Sequence, residues 1–494
     1  MRLVKRAALA GLVLLAASPA LAKGVSEADL RGHIEILASD EYEGRQPGTA
    51  GEAKTVKYIA EQWAKAGLKP AAADGSWFEP VPLIQRAQGS STHIFTAKGR
   101  KLRIVSDDII LIGKEAQYAK SGLPVVFTGA GVTSDGSVQA DVKGKAALLM
   151  FDADTVPDRM KSPRARREAL VAAGAEAVIF IGDSQGNWPV LRRALLSRTI
   201  GLETIEQRAA LEGGISTEFA VAMVTAAGRD WDKLRAHAKQ KDYAGEALGI
   251  DADFKVTTDV YRFNSSNVIG KLPGRKKGSG AVLYMGHWDH LGICAPEDAP
   301  DRICNGAVDN ASGIAVLTEV AERLAKKRHD RDIYFLATTA EESGLLGAYA
   351  YAAKPVFPLD QIVISLNVDT IAVAARGAKV AIIGRGNTKL DNIVEGIARK
   401  AGRQTEGSSD ANAFIERQDG WALTQKGVPA LMVGGSFADL DLMQKFLGSD
   451  YHGINDELTD KTELGGAAED ADLHIALGQY FADTRKYKSA KAGE

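Results

Sequence analysis

The sequence predicts an α/β protein with a mostly parallel central sheet, helices on both faces of that sheet, and a second, smaller α/β module inserted into it. Three observations carry this reading. From Asp253 onward, five short apolar segments (Ala281 to Met285, Ile333 to Ala337, Ile362 to Leu366, Val380 to Ile383 and Ala430 to Val433) alternate with helical patterns. That is the rhythm of strands covered on both sides. One intervening helix is well marked: Ile314, Leu317, Ala321 and Leu324 form an apolar stripe, and Glu319 stands four residues before Arg323. Between Asp107 and Lys239 the chain changes character, with strand candidates PVVFTG, KAALLMF and EAVIFIG separated by Gly-rich turns.

Composition bounds the function classes. The 494 residues suffice for two or three domains, and the 61 basic and 63 acidic side chains are spread without a run of five like charges. A polybasic nucleic-acid surface is not expected. With 51 Gly and 15 Pro the chain is neither collagenous nor a Pro-rich linker. After the N-terminus no apolar stretch approaches the roughly 18 residues of a membrane span.

Taken in order, the chain opens with Arg2, Lys5 and Arg6, an apolar run from Ala7 to Ala17, then Ser18, Pro19 and the A-x-A pattern of Ala20, Leu21 and Ala22. Residues 1–22 read as a cleavable signal peptide, because the run is too short to anchor in a bilayer. No Cys follows the cut, so no lipid anchor is expected and the location is periplasmic or extracellular. In that compartment Cys294 and Cys304, the two cysteines of the chain, can pair and rigidify one loop. Two buried thiols or a metal pair are the alternative, although no further Cys completes a Cys-type zinc site.

Helical spacing follows at Leu30, Ile34 and Leu37 and again at Val56, Ile59, Ala60 and Trp63, on either side of the polar stretch SDEYEGRQPGTAGE. Phe78 to Ile84, His93 to Thr96 and Leu102 to Val105 read as strands. Arg167 to Gly174 reads as a helix of the inserted module. The expected organisation is a main domain over 23–106 and 240–494, with the module at 107–239 between its two parts.

Ligands bind beyond the carboxyl ends of the strands in such sheets, so the residues after each strand matter most. The first is followed by GHWDHLG, which supplies His287 and Asp289, and the loop NGAVDNASG supplies Asp309 just before the marked helix. The next strand leads to TTAEESGLLG with Glu341 and Glu342, the third to Asp369, and the last to SDYHGINDE with Tyr451, His452 and Asp456. Singly, each has a bland reading: Asp309 as a turn residue, Thr338 with Glu341 as a helix cap, His452 as a loop histidine. Together, three carboxylates and two imidazoles at one sheet edge demand a neutralising charge. Two Zn²⁺ carry +4, which Asp309, Glu342, Asp369 and one bridging hydroxide balance, with His287 and His452 neutral. Glu341 is then free to act as a general base, and Asp289 is placed to hold the His287 imidazole in the right tautomer. His290 reads as structural.

The order HWD, GAVDNASG, EESGLLG, NVD and YH resembles the dizinc exopeptidases of the bacterial leucyl aminopeptidase and glutamate carboxypeptidase family. SDEYEGRQPGTAGE, WFEPVPL and SSNVIGKLPG are similar to the secreted bacterial members. GLPVVFTG, DVKGKAALLM and AAGAEAVIFI resemble the protease-associated domain that many of them carry. The resemblance implies a zinc exopeptidase fold with one zinc on His287 and Asp369, a second on Glu342 and His452, and Asp309 bridging. It also implies Glu341 as general base and Tyr451 as an oxyanion donor. After Asp369 the chain departs from the commoner pattern, with Thr370, Ile371 and Ala372 in place of Met, Ile and Gly, which leaves the shape of the substrate pocket open.

The activity this implies is removal of the N-terminal residue of a peptide or small protein with a free amine, which Glu341 and Asp369 would contact. The loops Ser408 to Phe414 and Ser436 to Gly448, without a clear charge complement, favour neutral or apolar N-terminal residues. Two other readings stay open: a carboxypeptidase for acidic C-termini, with Arg385, Arg403 and Arg417 as candidate contacts, and a non-catalytic binding module on the same fold. A single-zinc cyclotransferase fits less well, because both halves of a two-metal set are present.

Overall fold

The computed structural model of the chain describes residues 24–104, 108–153, 156–204, 207–240 and 243–488. The expected signal peptide, Val105 and Asp107 lie outside the described residues. Among the described residues, a 15-stranded sheet runs through both parts of the chain. One half of it has the order Ala381–Ile383, Ala430–Gly434, Ile362–Asn367, Ala281–His287, Asp332–Thr338 and Glu246–Leu272. The four middle strands are parallel, and the two outer ones run antiparallel to them.

Strand Ala281–His287 shows why this sheet lies between two layers. All seven of its residues are buried. Val282 and Tyr284 enter one apolar layer, and Ala281, Leu283 and Met285 enter the other. A strand apolar on both faces has to be covered twice. Helix Ser312–Ala325 fills the first layer with the buried stripe Ile314, Leu317, Ala321 and Leu324, each large side chain contributing about 1.5–3 kcal/mol. Helices Glu27–Leu37, Ala50–Ala66 and Gly465–Phe481 pack around it. Helix Ala50–Ala66 starts where Thr49 Oγ1 accepts the Glu52 amide and stops at Gly67, whose φ of 98° few other residues adopt. Helices Leu346–Ala353 and Gly420–Thr424 cover the second layer.

Two strand expectations change. Phe78 to Ile84 and His93 to Thr96 are the ends of one strand, Phe78–Ala97, whose polar middle pairs with the 27-residue strand Glu246–Leu272. Pairing with the partner strand holds this segment from Gln85 to Thr92, across one register shift at Gly89 and Ser90, where hydrophobic alternation fades. Residues 102–104 are not a strand; the hairpin closes instead through Arg100–Lys101.

The three strand candidates between Asp107 and Lys239 lie in Gln117–Phe127, Ala146–Met150 and Ala177–Gly182, which run parallel with Leu211–Ser216. Helix Pro163–Ala172 covers most of the expected helical segment. The apolar core here also takes in Phe95 and Ala97 from one long strand and Leu248, Ile250, Phe254 and Val256 from the other.

Cys294 and Cys304 form a disulfide with Cα atoms 5.8 Å apart, closing the hairpin of Gly292–Ile293 and Ile303–Cys304. The hairpin lies against Gly44, where a Cβ would overlap the Cys304 carbonyl and Gly292. No helix among the described residues is long and apolar enough to cross a membrane.

Candidate metal centre

Because the middle strands are parallel, their carboxyl ends share one edge. His287 is the last residue of its strand, Asp369 follows Ile362–Asn367 by two residues, and Glu341 and Glu342 sit on an irregular turn after Asp332–Thr338. No helix starts at Thr338, so the capping reading of Thr338 and Glu341 does not apply. Asp309 stands in a turn over Ala307–Ala311 with extended backbone (φ −109°, ψ 96°), just ahead of helix Ser312–Ala325.

The structure brings the five expected ligands together. His287 Nε2 lies 3.2 Å from Asp309 Oδ1 and 3.4 Å from Asp369 Oδ1. On the other side, His452 Nε2 lies 3.4 Å from Asp309 Oδ2 and 2.7 Å from Glu342 Oε2. The two oxygens of Asp309 therefore face two different imidazoles, and each imidazole has a second carboxylate beside it. Potential ligand atoms of His287, Asp309 and Glu342, and of His287, Glu341 and Asp369, fall within 4.8 Å of one another. The donor set of imidazole and carboxylate suits a borderline divalent cation such as zinc.

Electrostatics sort these carboxylates into two roles. Burial raises the Asp309 carboxyl, but hydrogen bonds with His287 and His452 outweigh it and hold the group well below the ordinary range. Burial pushes the Glu341 carboxyl well above that range, opposed by His287 and reinforced by Glu342 and Asp369. Asp309 is thus held anionic while the Glu341 carboxyl is pushed the other way, so the two neighbours are driven apart by their surroundings.

Asp289 is placed differently from expectation. The nearest partner of His287 Nδ1 is the backbone carbonyl of Asp289 at 3.1 Å, whereas the Asp289 carboxylate stands 3.8 Å away. The side chain instead accepts the Glu341 backbone amide at 3.1 Å. Tyr451 stacks on the His452 ring at 3.7 Å, and its hydroxyl accepts from Arg417 at 3.4 Å.

Four residues without an assigned role complete the site. His290, read as structural, is buried with Nδ1 2.6 Å from Glu342 Oε1. Asp456 Oδ1 and Oδ2 accept the amides of Val308 and Asp309 at 2.8 and 3.0 Å, which fixes the turn that carries Asp309. Asp419, buried near Glu341, accepts from Thr338. Arg45, 1% exposed, donates to the carbonyls of Leu37, Trp288, Asn305 and Gly306, and so places a buried cation behind the acidic cluster. Asp456 and His290 carry a sequence signal, their nearness to His452 and His287; Asp419 and Arg45 are joined to the site by contacts distant along the chain or by a neighbouring strand.

On the Asp369 flank an apolar hollow is lined by Phe414, Met432, Phe437, Met443 and Leu447, four of them from the two loops expected to shape a pocket. Of the three arginines weighed for acidic C-termini, Arg385 pairs with Glu395 at 2.6 Å and Arg403 with Asp470 at 2.9 Å. Arg417 alone reaches the hollow.

Known proteins share both sequence and fold with the chain. It is 26% identical over 310 residues to Aminopeptidase YwaD of Bacillus subtilis (strain 168), covering 62% of this chain and 53% of that one. It is 37% identical over 92 residues to a probable zinc metalloprotease of Pyrenophora teres f. teres (strain 0-1), covering 18% of this chain and 19% of the other. The chain thus spans about half the length, or less, of these curated relatives. Its fold is that of an aminopeptidase from Aneurinibacillus sp. strain AM-1, with a TM-score of 0.52 and 21% identity over 93% of this chain and 94% of that one. Residues 267–474, which carry every expected metal ligand and Glu341, match Peptidase family M28, and the chain therefore contains a domain of that family.

Proposed function

We propose that the chain is a secreted zinc-dependent aminopeptidase that hydrolyses the N-terminal peptide bond of peptides with a free amine. The observation that carries this reading is the placement of Asp309 between His287 and His452, with Glu341 beside them. The relatives, an aminopeptidase and a probable zinc metalloprotease, support the activity and the metal. The Cys294–Cys304 disulfide supports an oxidising compartment, as the expected signal peptide does. Residues 107–239 are read as the protease-associated module.

His287 and Asp369 would hold one zinc, Glu342 and His452 the second, and Asp309 would bridge them. Two such ions supply a Lewis acid for the scissile carbonyl and a water acidified toward neutrality. Glu341 takes the proton of the attacking water and passes it to the leaving amine, for which its raised carboxyl is suited. The Tyr451 hydroxyl donates to the developing oxyanion. Asp369 and Glu341 attract the substrate's ammonium, and the hollow of Phe414, Phe437 and Met443 receives an apolar N-terminal side chain.

The test is mass-spectrometric analysis of products from free and N-acetylated peptides, with and without a chelator. Residues leaving only from free N-termini, in a chelator-sensitive way, are expected. Release of C-terminal residues would establish the carboxypeptidase reading, which the occupied Arg385 and Arg403 disfavour. No cleavage with zinc added would establish the binding module.

A further inference from the structure

The Glu342 flank opens into a cleft of about 390 Å³ that the chemistry above does not use. One wall is the turn Glu342–Ser343 with helix Leu346–Ala353. The other carries four arginines, Arg164, Arg167, Arg198 and Arg208. Against them, the described carboxylates of the lining are Glu168 and the ligand Glu342. Arg164 bonds Glu168 at 2.8 Å and Arg208 bonds Glu212 at 2.8 Å. Arg198 is exposed and has no ion pair or hydrogen-bond partner among the described residues.

This wall is fixed relative to the candidate centre. Strand Thr199–Leu202 pairs with Leu83 to Arg86 of the long strand, and Leu202 packs with Ala340 and Leu346 on either side of the Glu341–Glu342 turn. The Arg164 guanidinium lies 5.3 Å above the Tyr349 ring, and a Cβ on Gly344 would stand 3.4 Å from Arg164 Nη1. An unpaired guanidinium and a net positive wall, held beside a metal ligand, form a receptor for a planar anion.

We propose that this cleft binds a carboxylate on the leaving side of the substrate, with Arg198 as its principal contact, so that peptides carrying such a carboxylate close to the scissile bond are preferred. The proposal rests on the aminopeptidase reading. With the N-terminal side chain in the apolar hollow on the Asp369 flank, the leaving portion extends past Glu342 toward the arginines. The carboxylate can come from the C-terminus of a short peptide or from an acidic side chain.

The experiment compares kcat/KM of the zinc-loaded full chain for Leu-Ala-Ala and its C-terminal amide, and for the amides Leu-Asp-Ala and Leu-Asn-Ala. Leucine p-nitroanilide reports exopeptidase activity alone. A free-acid to amide ratio of at least about tenfold, the worth of one charge-assisted hydrogen bond, is expected and identifies the C-terminus as the source. The same ratio for Leu-Asp-Ala over Leu-Asn-Ala identifies an acidic side chain. Either ratio should shrink with added salt, fall toward one in R198Q and recover in part in R198K. Ratios near one in the unaltered chain, or ratios unchanged in both R198Q and R164Q, overturn the proposal while leaving the aminopeptidase reading intact. Absence of cleavage of every substrate overturns both.

Discussion

The carboxylate of Asp289 accepts the backbone amide of Glu341 at 3.1 Å, so a residue at the end of one strand fixes the turn that follows the next. The two strands are parallel neighbours, with His287 in register with Thr338. Asp289→Ala should therefore lower kcat by about ten- to a hundredfold while the metal stays bound, because Glu341, the proposed base, loses its support and the candidate ligands do not. Asp289→Asn retains an acceptor oxygen and should lose less. Equal losses in the two variants, measured alongside metal content, would argue against a positioning role.

Glu341 itself should be separable from the metal. Glu341→Gln should retain zinc and lose about 10²- to 10⁴-fold in kcat, the usual worth of a general acid–base group. Near-full activity in this variant would remove Glu341 from the base role.

Asp309 differs from the other carboxylates in facing both imidazoles, through Oδ1 at 3.2 Å and Oδ2 at 3.4 Å. Asp309→Ala should reduce bound zinc from two ions to one or none, whereas Asp369→Ala or His452→Ala should each weaken a single ion. Metal analysis after dialysis gives the count. Two tightly held ions in Asp309→Ala would refute the bridging assignment.

Protons and metal compete for the same ring atoms. Burial lowers the His452 imidazole, but hydrogen bonds to Asp309 and Glu342 outweigh it and raise the group to about 9. The ring therefore carries a proton at pH 7 unless a cation takes its place, and zinc affinity should rise as pH increases from 6 to 8 with release of protons. Calorimetry in buffers of different ionisation enthalpy measures that release. A zinc-binding enthalpy independent of the buffer would contradict it.

Acid sensitivity of the fold has a source away from the centre. Burial lowers the His474 imidazole from 6.5 to about 4, and its Nε2 donates to the Val433 carbonyl at 2.8 Å, tying helix Gly465–Phe481 to strand Ala430–Gly434. The unfolded chain takes up a proton near pH 6.5 that the folded chain refuses until about pH 4, so this contribution is complete above 6.5, declines across the window and levels off below it. Urea midpoints at pH 7, 5.5 and 4.5 should fall less steeply for His474→Asn than for the unaltered chain.

Much of this was legible in the sequence because two kinds of signal are local. Strands buried on both faces, such as Ala281–His287, are continuous apolar runs, and ligands cluster directly after them. The unread parts depend on distance along the chain. Arg45 is separated by 260 residues from Asn305, whose carbonyl it binds at 2.6 Å, and nothing around a lone arginine in a polar stretch announces that contact. The partnership of Asp289 with the Glu341 amide required knowing which strands are neighbours. The strand Phe78–Ala97 reads as two pieces in the sequence because its register is enforced by a distant partner and not by its own alternation.

That partner, Glu246–Leu272, bears on any attempt to shorten the protein. It borders Asp332–Thr338 in one half of the sheet and Gln117–Phe127 in the other, as one unbroken backbone. Excising 107–239 at its sequence limits would strip the cover from Phe95, Phe254 and Val256 and leave a bare apolar ribbon prone to edge-to-edge aggregation. A viable minimal enzyme has to be cut across the ribbon, and the place for it is the register shift between Val256 and Thr258, where Gly89 passes too close to Thr257 for any larger residue.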